Sequence, residues 1–222
     1  MCFSAAASFT AGSLLCLGGI YTTRRSLKFA PKFIPLAAYP LGFGLQQLME
    51  GGVWLNLQSD FIETGRIFAL GFLFFSHCFW LFWVPFSIFW LEERPLQKQI
   101  LLGLTILGGL FGVSLYLPLL LNDWVQVEVA RQHITYDVKL IYSDWIPWTI
   151  GRSVYAAFIL IPFLIAPKPS IHLLGILIFA SMVATAFIYD AIAFISVWCF
   201  FAALISSYII YLLREKTALE IP

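Results

Sequence analysis

Charge is what this sequence has least of. Only 11% of its 222 residues are Asp, Glu, Lys or Arg, against roughly 25% in a soluble domain. With a net charge of +1, it offers neither a basic surface for nucleic acid nor an acidic tail for a solvated partner. Its four cysteines, Cys2, Cys16, Cys78 and Cys199, form no CxxC or CxxH spacing, which argues against a disulfide framework or a CxxCH haem attachment. Three of them lie in apolar runs, where a cysteine acts as a small hydrophobe. There is no phosphate-cradling P-loop and no GxSxG elbow. The first basic residues, Arg24 and Arg25, follow the first apolar run instead of preceding it. That is the reverse of a removable secretory signal, and the expectation is that the first helix is retained.

What the chain does have is apolar length. A helix needs about 20 apolar residues to cross a hydrocarbon core of about 30 Å. Such runs fall at about 5–23, 34–57, 67–91, 99–121 and 146–166. The stretch from Ile171 to Leu213 is broken only by Asp190, and as one helix it would be about 65 Å long at 1.5 Å per residue. It must fold back near Tyr189-Asp190, giving spans 171–189 and 191–213. Loops after odd-numbered spans hold Arg24, Arg25, Lys28, Lys32, Arg94, Lys98, Lys168, Arg214 and Lys216, while the others hold Arg66, Arg131 and Lys139. Positive residues favour the cytoplasmic side. The expected architecture is an all-α integral membrane protein: one seven-transmembrane helix bundle over 1–222, multi-pass in the inner (plasma) membrane, N-terminus out and C-terminus cytoplasmic. Between spans 4 and 5, residues 122–145 alternate through Val125, Val127, Val129, Ile134, Tyr136, Val138, Leu140 and Tyr142. Period-two alternation either side of Ala130-Arg131-Gln132 reads as an outer β-hairpin whose apolar side covers helix ends.

Ionisable groups within spans are expensive, about 2.5–3.5 kcal/mol each on insertion scales, and are functional candidates by default. Glu50, Arg152 and Asp190 fall at similar depth near the outer surface, where Arg152 can pair with either acid. This is either a structural ion pair or a polar pocket open to the outside. Gln46 and Glu50 share one helix face, flanked by Gln47. Gly108 and Gly112 give a small-xxx-small packing stripe. His77 falls near the midplane as a hydrogen-bonded neutral histidine, a metal or haem ligand, or a proton relay. Loss of Met1 would set an amine beside the Cys2 thiol, and these could chelate a divalent metal such as zinc with Glu50 and His133.

Two familiar seven-helix chemistries are excluded. Residues 191–213 contain no lysine for retinal, and His172 alone stands late in the chain, where membrane hydrolases need an HxxxH pair. Met1-Cys2-Phe3-Ser4-Ala5, Gln46-Gln47-Leu48-Met49-Glu50-Gly51, Trp83-Val84-Pro85-Phe86 and His133-Ile134-Thr135-Tyr136 resemble an uncharacterised bacterial family of membrane proteins, a domain of unknown function, whose members begin with the same five residues. The resemblance implies that Cys2, Ser4, Gln47, Glu50 and His133 merit scrutiny, and it carries no activity. The leading expectation is a metal- or small-ligand-binding protein with an outward-facing pocket lined by Ser4, Gln46, Gln47, Glu50, Arg152 and Asp190. Alternatives are a membrane-embedded hydrolase or transferase acting on outer-leaflet lipid, with Glu50 as base and Cys2 or Ser4 as nucleophile, and a small transporter or channel. Expected partners are membrane lipid and a second copy or another membrane protein.

Overall fold

The computed structural model describes residues 4–57, 62–130, 133–188 and 205–213, without side chains at 62, 63, 130, 133 and 186–188. Most of these residues are helical. The order is α1 (Ala5–Phe29), a 3-10 turn (Pro31–Phe33), α2 (Ile34–Ala37), α3 (Tyr39–Leu57), α4 (Ile62–Phe74), a π-helical segment (Phe75–Phe79), α5 (Trp80–Leu91) and α6 (Pro95–Leu121). The hairpin β1 (Val125–Ala130) and β2 (His133–Val138) follows, then α7 (Trp148–Ile165) and α8 (Pro169–Ile188). Residues 205–213 are also helical.

Four helical stretches are long and apolar enough to cross a membrane: Ala5–Phe29, Thr64–Leu91, Pro95–Leu121 and Trp148–Ile165; Pro169–Thr185 is a shorter apolar helix. The four coincide with the expected first, third, fourth and fifth spans, and the shorter helix falls within the expected sixth. Most of the expected seventh span, and the turn at Asp190, lie outside the described residues. The expected second span is interrupted at Ala38, between α2 and α3. Pro40 has no N–H to offer the Leu36 carbonyl, so the helical ladder breaks there. α1 runs six residues further than its apolar stretch, because Arg24, Arg25 and Lys28 are good helix formers with long stems. It stops where the Ala30 amide bonds the Ser26 carbonyl, just before Pro31.

α1 and α3 pack antiparallel and in close contact. A Cβ on Gly44 would stand 2.6 Å from Cys16 Sγ, and one on Gly19 would strike the Leu41 backbone. Small residues let the two backbones approach to this extent. Gly112 plays the same part in α6: a Cβ there would stand 2.9 Å from Cys78 Cα, and Gly108 lies against the Leu81 carbonyl. The Gly108/Gly112 stripe is therefore a seat for the π segment and α5. Beyond the α1–α3 pair, α3 meets α4, α5 meets α6 and α7, and α7 meets α8.

Buried apolar side chains fall into two clusters. One gathers Phe33, Leu36, Tyr39, Trp80, Val84, Ile88, Leu101, Phe163 and Ile171. The other gathers Val53, Trp54, Phe72, Leu73, Leu119, Ile134 and Tyr136, so the hairpin's inward residues join it. Val127 pairs with Tyr136 and Val129 with Ile134 across the hairpin. Tyr136 stacks on Phe72 with ring centres 4.7 Å apart. The expected cover over the helix ends is present. Its strands end at Val138, however, and Tyr142 lies in a turn, its carbonyl accepting from the Trp145 and Ile146 amides.

At the opposite end, the α5–α6 turn is tied by one carboxylate. Glu92 is buried and accepts from the Glu93 and Arg94 amides and from both Arg94 Nε and Nη2. Arg94 Nη2 also donates to the Ile165 carbonyl at 2.6 Å, reaching the end of α7. The Arg94 guanidinium, helped by the two amides, holds the Glu92 carboxyl below the usual carboxylate range.

Candidate functional site

Between the two apolar clusters the interior is polar. On α3 the buried residues run from Tyr39 in one cluster to Val53 in the other, and Gln46, Gln47 and Glu50 lie between them. Their exposures are 3%, 2% and 0%. Along the facing helix, His77 stands between Leu73 of one cluster and Trp80 of the other. An apolar core would be easier to build, since a buried polar group without a partner costs about 1–3 kcal/mol.

Some of these groups are satisfied. Trp80 Nε1 donates to Gln46 Oε1 at 2.9 Å, with the Trp80 ring held by stacked Phe43. Gln47 Nε2 donates to Glu50 Oε2 at 3.0 Å. Others are not. Ser8 Oγ, Gln47 Oε1 and Trp54 Nε1 are buried with no hydrogen-bond partner among the described residues. Gln47, Glu50 and Trp54 stand at i, i+3 and i+7, which places them along one face of α3. Ser8 comes to the same level from α1. Its neighbour Phe9 packs on Gly51, and Gly12, one turn on, packs on Leu48. A lone acceptor, a lone donor and a hydroxyl that can do either therefore accompany a carboxylate. The hairpin closes this end, since Trp54 shares its cluster with Ile134 and Tyr136, and Ala5 packs against the same cluster.

His77 belongs to the π segment, a feature the sequence reading missed. Single π turns inside α-helices recur at functional sites. Ser76 Oγ lies 3.3 Å from the Leu73 carbonyl, to which it donates, and 2.9 Å from His77 Nδ1.

Two of the other expected site residues are exposed. Ser4 is exposed and caps α1, its Oγ accepting from the Ala7 amide at 3.2 Å. Arg152 is exposed on α7, its guanidinium carbon 4.6 Å from the centre of the Trp148 ring. Lys32–Glu93, Arg66–Asp123 and Arg94–Glu92 form ion pairs. Cys2 and Asp190 lie outside the described residues, as does the His133 side chain; its backbone begins β2. Among the described residues, no three of His, Cys, Asp and Glu gather into a group able to hold a metal. The expected metal set of Cys2, Glu50, His77 and His133 gains no support from them. Trp54 and Ser8 were passed over in the sequence because neither is ionisable. The legible signal was their helical spacing from Gln47 and from the Ser4 cap.

The whole chain matches one family model, over residues 1–221. The chain belongs to DUF6629, a family of unknown function. No curated protein matches it in sequence. For this family member the polar layer of α3, and not a transferred activity, carries the functional argument.

The Gln46–Trp80 bond yields a direct check. Gln46→Leu leaves the Trp80 N–H buried without its acceptor and should cost about 1–3 kcal/mol. Adding Trp80→Phe to Gln46→Leu should add less than Trp80→Phe costs in the wild-type background. Thermal melting of the four proteins in one detergent measures the coupling, and strict additivity would show that the bond contributes nothing.

Proposed function

We propose that this protein binds a small polar molecule within the membrane, beside Glu50 and beneath the hairpin. One observation carries the reading: three buried polar atoms without described partners, Ser8 Oγ, Gln47 Oε1 and Trp54 Nε1, accompany a carboxylate with no exposure. Buried polar groups in native proteins are almost always satisfied, and a bound molecule or ordered water would satisfy these. The ligand must both donate, to Gln47 Oε1, and accept, from the Trp54 indole. A bare metal cation fits this set poorly, because an indole N–H can only donate. A hydroxyl- or amide-bearing neutral molecule fits better. The hairpin, seated on Trp54 through the shared apolar cluster, would have to move for the ligand to enter.

The reading is completed by seven spans, with the hairpin on the outer side and the Glu92–Arg94 turn in the cytoplasm of a plasma membrane. The asymmetry of Lys and Arg supports it. An impermeant amine reagent applied to intact cells should label Lys139 and spare Lys98, both exposed or partly exposed. The reverse pattern would invert the orientation.

The binding reading is tested by mass spectrometry of small molecules released from protein purified in mild detergent. One species per chain should be enriched in the wild type and depleted at least tenfold in Glu50→Gln and Gln47→Leu, with both variants still folded. Identical extracts from all three would reject it.

A further inference from the structure

Well away from that layer, α1 carries a groove of about 390 Å³ lined by Leu17, Ile20, Tyr21, Arg24, Arg25, Lys28 and Phe29. These positions recur at helical spacing, so the groove follows one outward face of a single helix. Its composition changes along its length. Leu17 is 65% and Ile20 40% exposed, a patch suited to hydrocarbon. Tyr21 follows, and then three cations, of which Arg24 and Lys28 are exposed. From Leu17 to Lys28 the axis climbs about 16 Å, from chain depth to headgroup depth of one leaflet.

No carboxylate among the described residues lines the groove. The two acids of the nearby α5–α6 turn are engaged elsewhere, Glu92 by Arg94 and Glu93 by Lys32. Arg24 and Lys28 have no ion-pair partner among the described residues. Aromatic rings brace the basic collar: Arg25 lies 5.9 Å from the Tyr21 ring centre, and Lys28 lies 5.1 Å from that of Phe29. Cations at the interface attract anionic lipid at about 1 kcal/mol each, and Arg suits phosphate because its planar fork can donate two parallel bonds.

We propose that this groove binds an anionic phospholipid of the bilayer, its phosphate on Arg24 and Lys28 and an acyl chain along Leu17 and Ile20. Charge complementarity selects the headgroup, and the adjoining apolar half selects a lipid over a free anion. The site is independent of the polar layer around Glu50, so either can fail without the other.

Native mass spectrometry of the full chain, delipidated and then given equal amounts of phosphatidylglycerol and phosphatidylcholine, tests the proposal. The wild type should retain phosphatidylglycerol at least tenfold over phosphatidylcholine. That preference should fall to about parity in Arg24→Gln/Lys28→Gln. A control at the far end, Lys139→Gln, should keep it. Leu17→Gln should weaken retention with the headgroup preference intact, and millimolar inorganic phosphate should leave the lipid in place. Equal retention of both lipids by the wild type would overturn the proposal. So would an unchanged preference in the double variant, or displacement by phosphate alone. Both substituted side chains are exposed, so the variants should fold, and an unchanged circular dichroism spectrum confirms it.

Discussion

The structure depends on hiding one face of α3. That helix carries Gln46, Gln47 and Glu50 through the middle of an otherwise apolar bundle, and lipid would tolerate none of them on its surface. The solution is backbone contact. Glycines at 19 and 44 bring α1 against α3 so closely that no larger side chain fits at either position. α4 closes the other flank, with Gly52 under Phe68 and Gly71 under Met49. Substituents at these glycines would open the seam and expose the polar stripe.

Once α3 is enclosed, its polar residues divide the core. Below them, Tyr39 and Trp80 belong to the larger apolar cluster, and above them Val53 and Trp54 join the hairpin's Ile134 and Tyr136. The layer between is partly self-satisfied, through Gln46–Trp80 and Gln47–Glu50, and leaves Ser8 Oγ, Gln47 Oε1 and Trp54 Nε1 without partners among the described residues. The two-stranded hairpin would be marginal alone. It is stable here because its inward side chains complete the second cluster. It therefore serves as a cover whose stability is set by what it covers.

How much of this the sequence disclosed follows from which physical signals are periodic. Long apolar runs and the alternation through Val125 to Val138 are strong signals; helices cover the first, third, fourth and fifth expected spans, and both strands formed. Gln46, Gln47 and Glu50 were legible because charge and amide groups stand out in a membrane span. Trp54 and Ser8 look like ordinary lipid-facing residues until packing places them, since a tryptophan's isolated N–H leaves no mark in hydropathy. The π segment at Phe75–Phe79 depends on how α6 seats Gly112 beneath it, a tertiary fact. Pairing of Arg152 with Glu50 or Asp190 was expected from depth, and Asp190 lies outside the described residues.

One atom gives the most direct test of the central claim that the polar layer holds a guest. Ser8 is fully buried, and its hydroxyl has no partner among the described residues. In Ser8→Ala that oxygen is removed with little change in shape, and the melting temperature of protein purified with its native lipid reads the sign. If a bound molecule or ordered water meets the hydroxyl, its loss should destabilise the protein by about 0.5–1.5 kcal/mol. If the hydroxyl is merely buried and empty-handed, the alanine should stabilise the protein, and the account of a liganded polar layer would be contradicted.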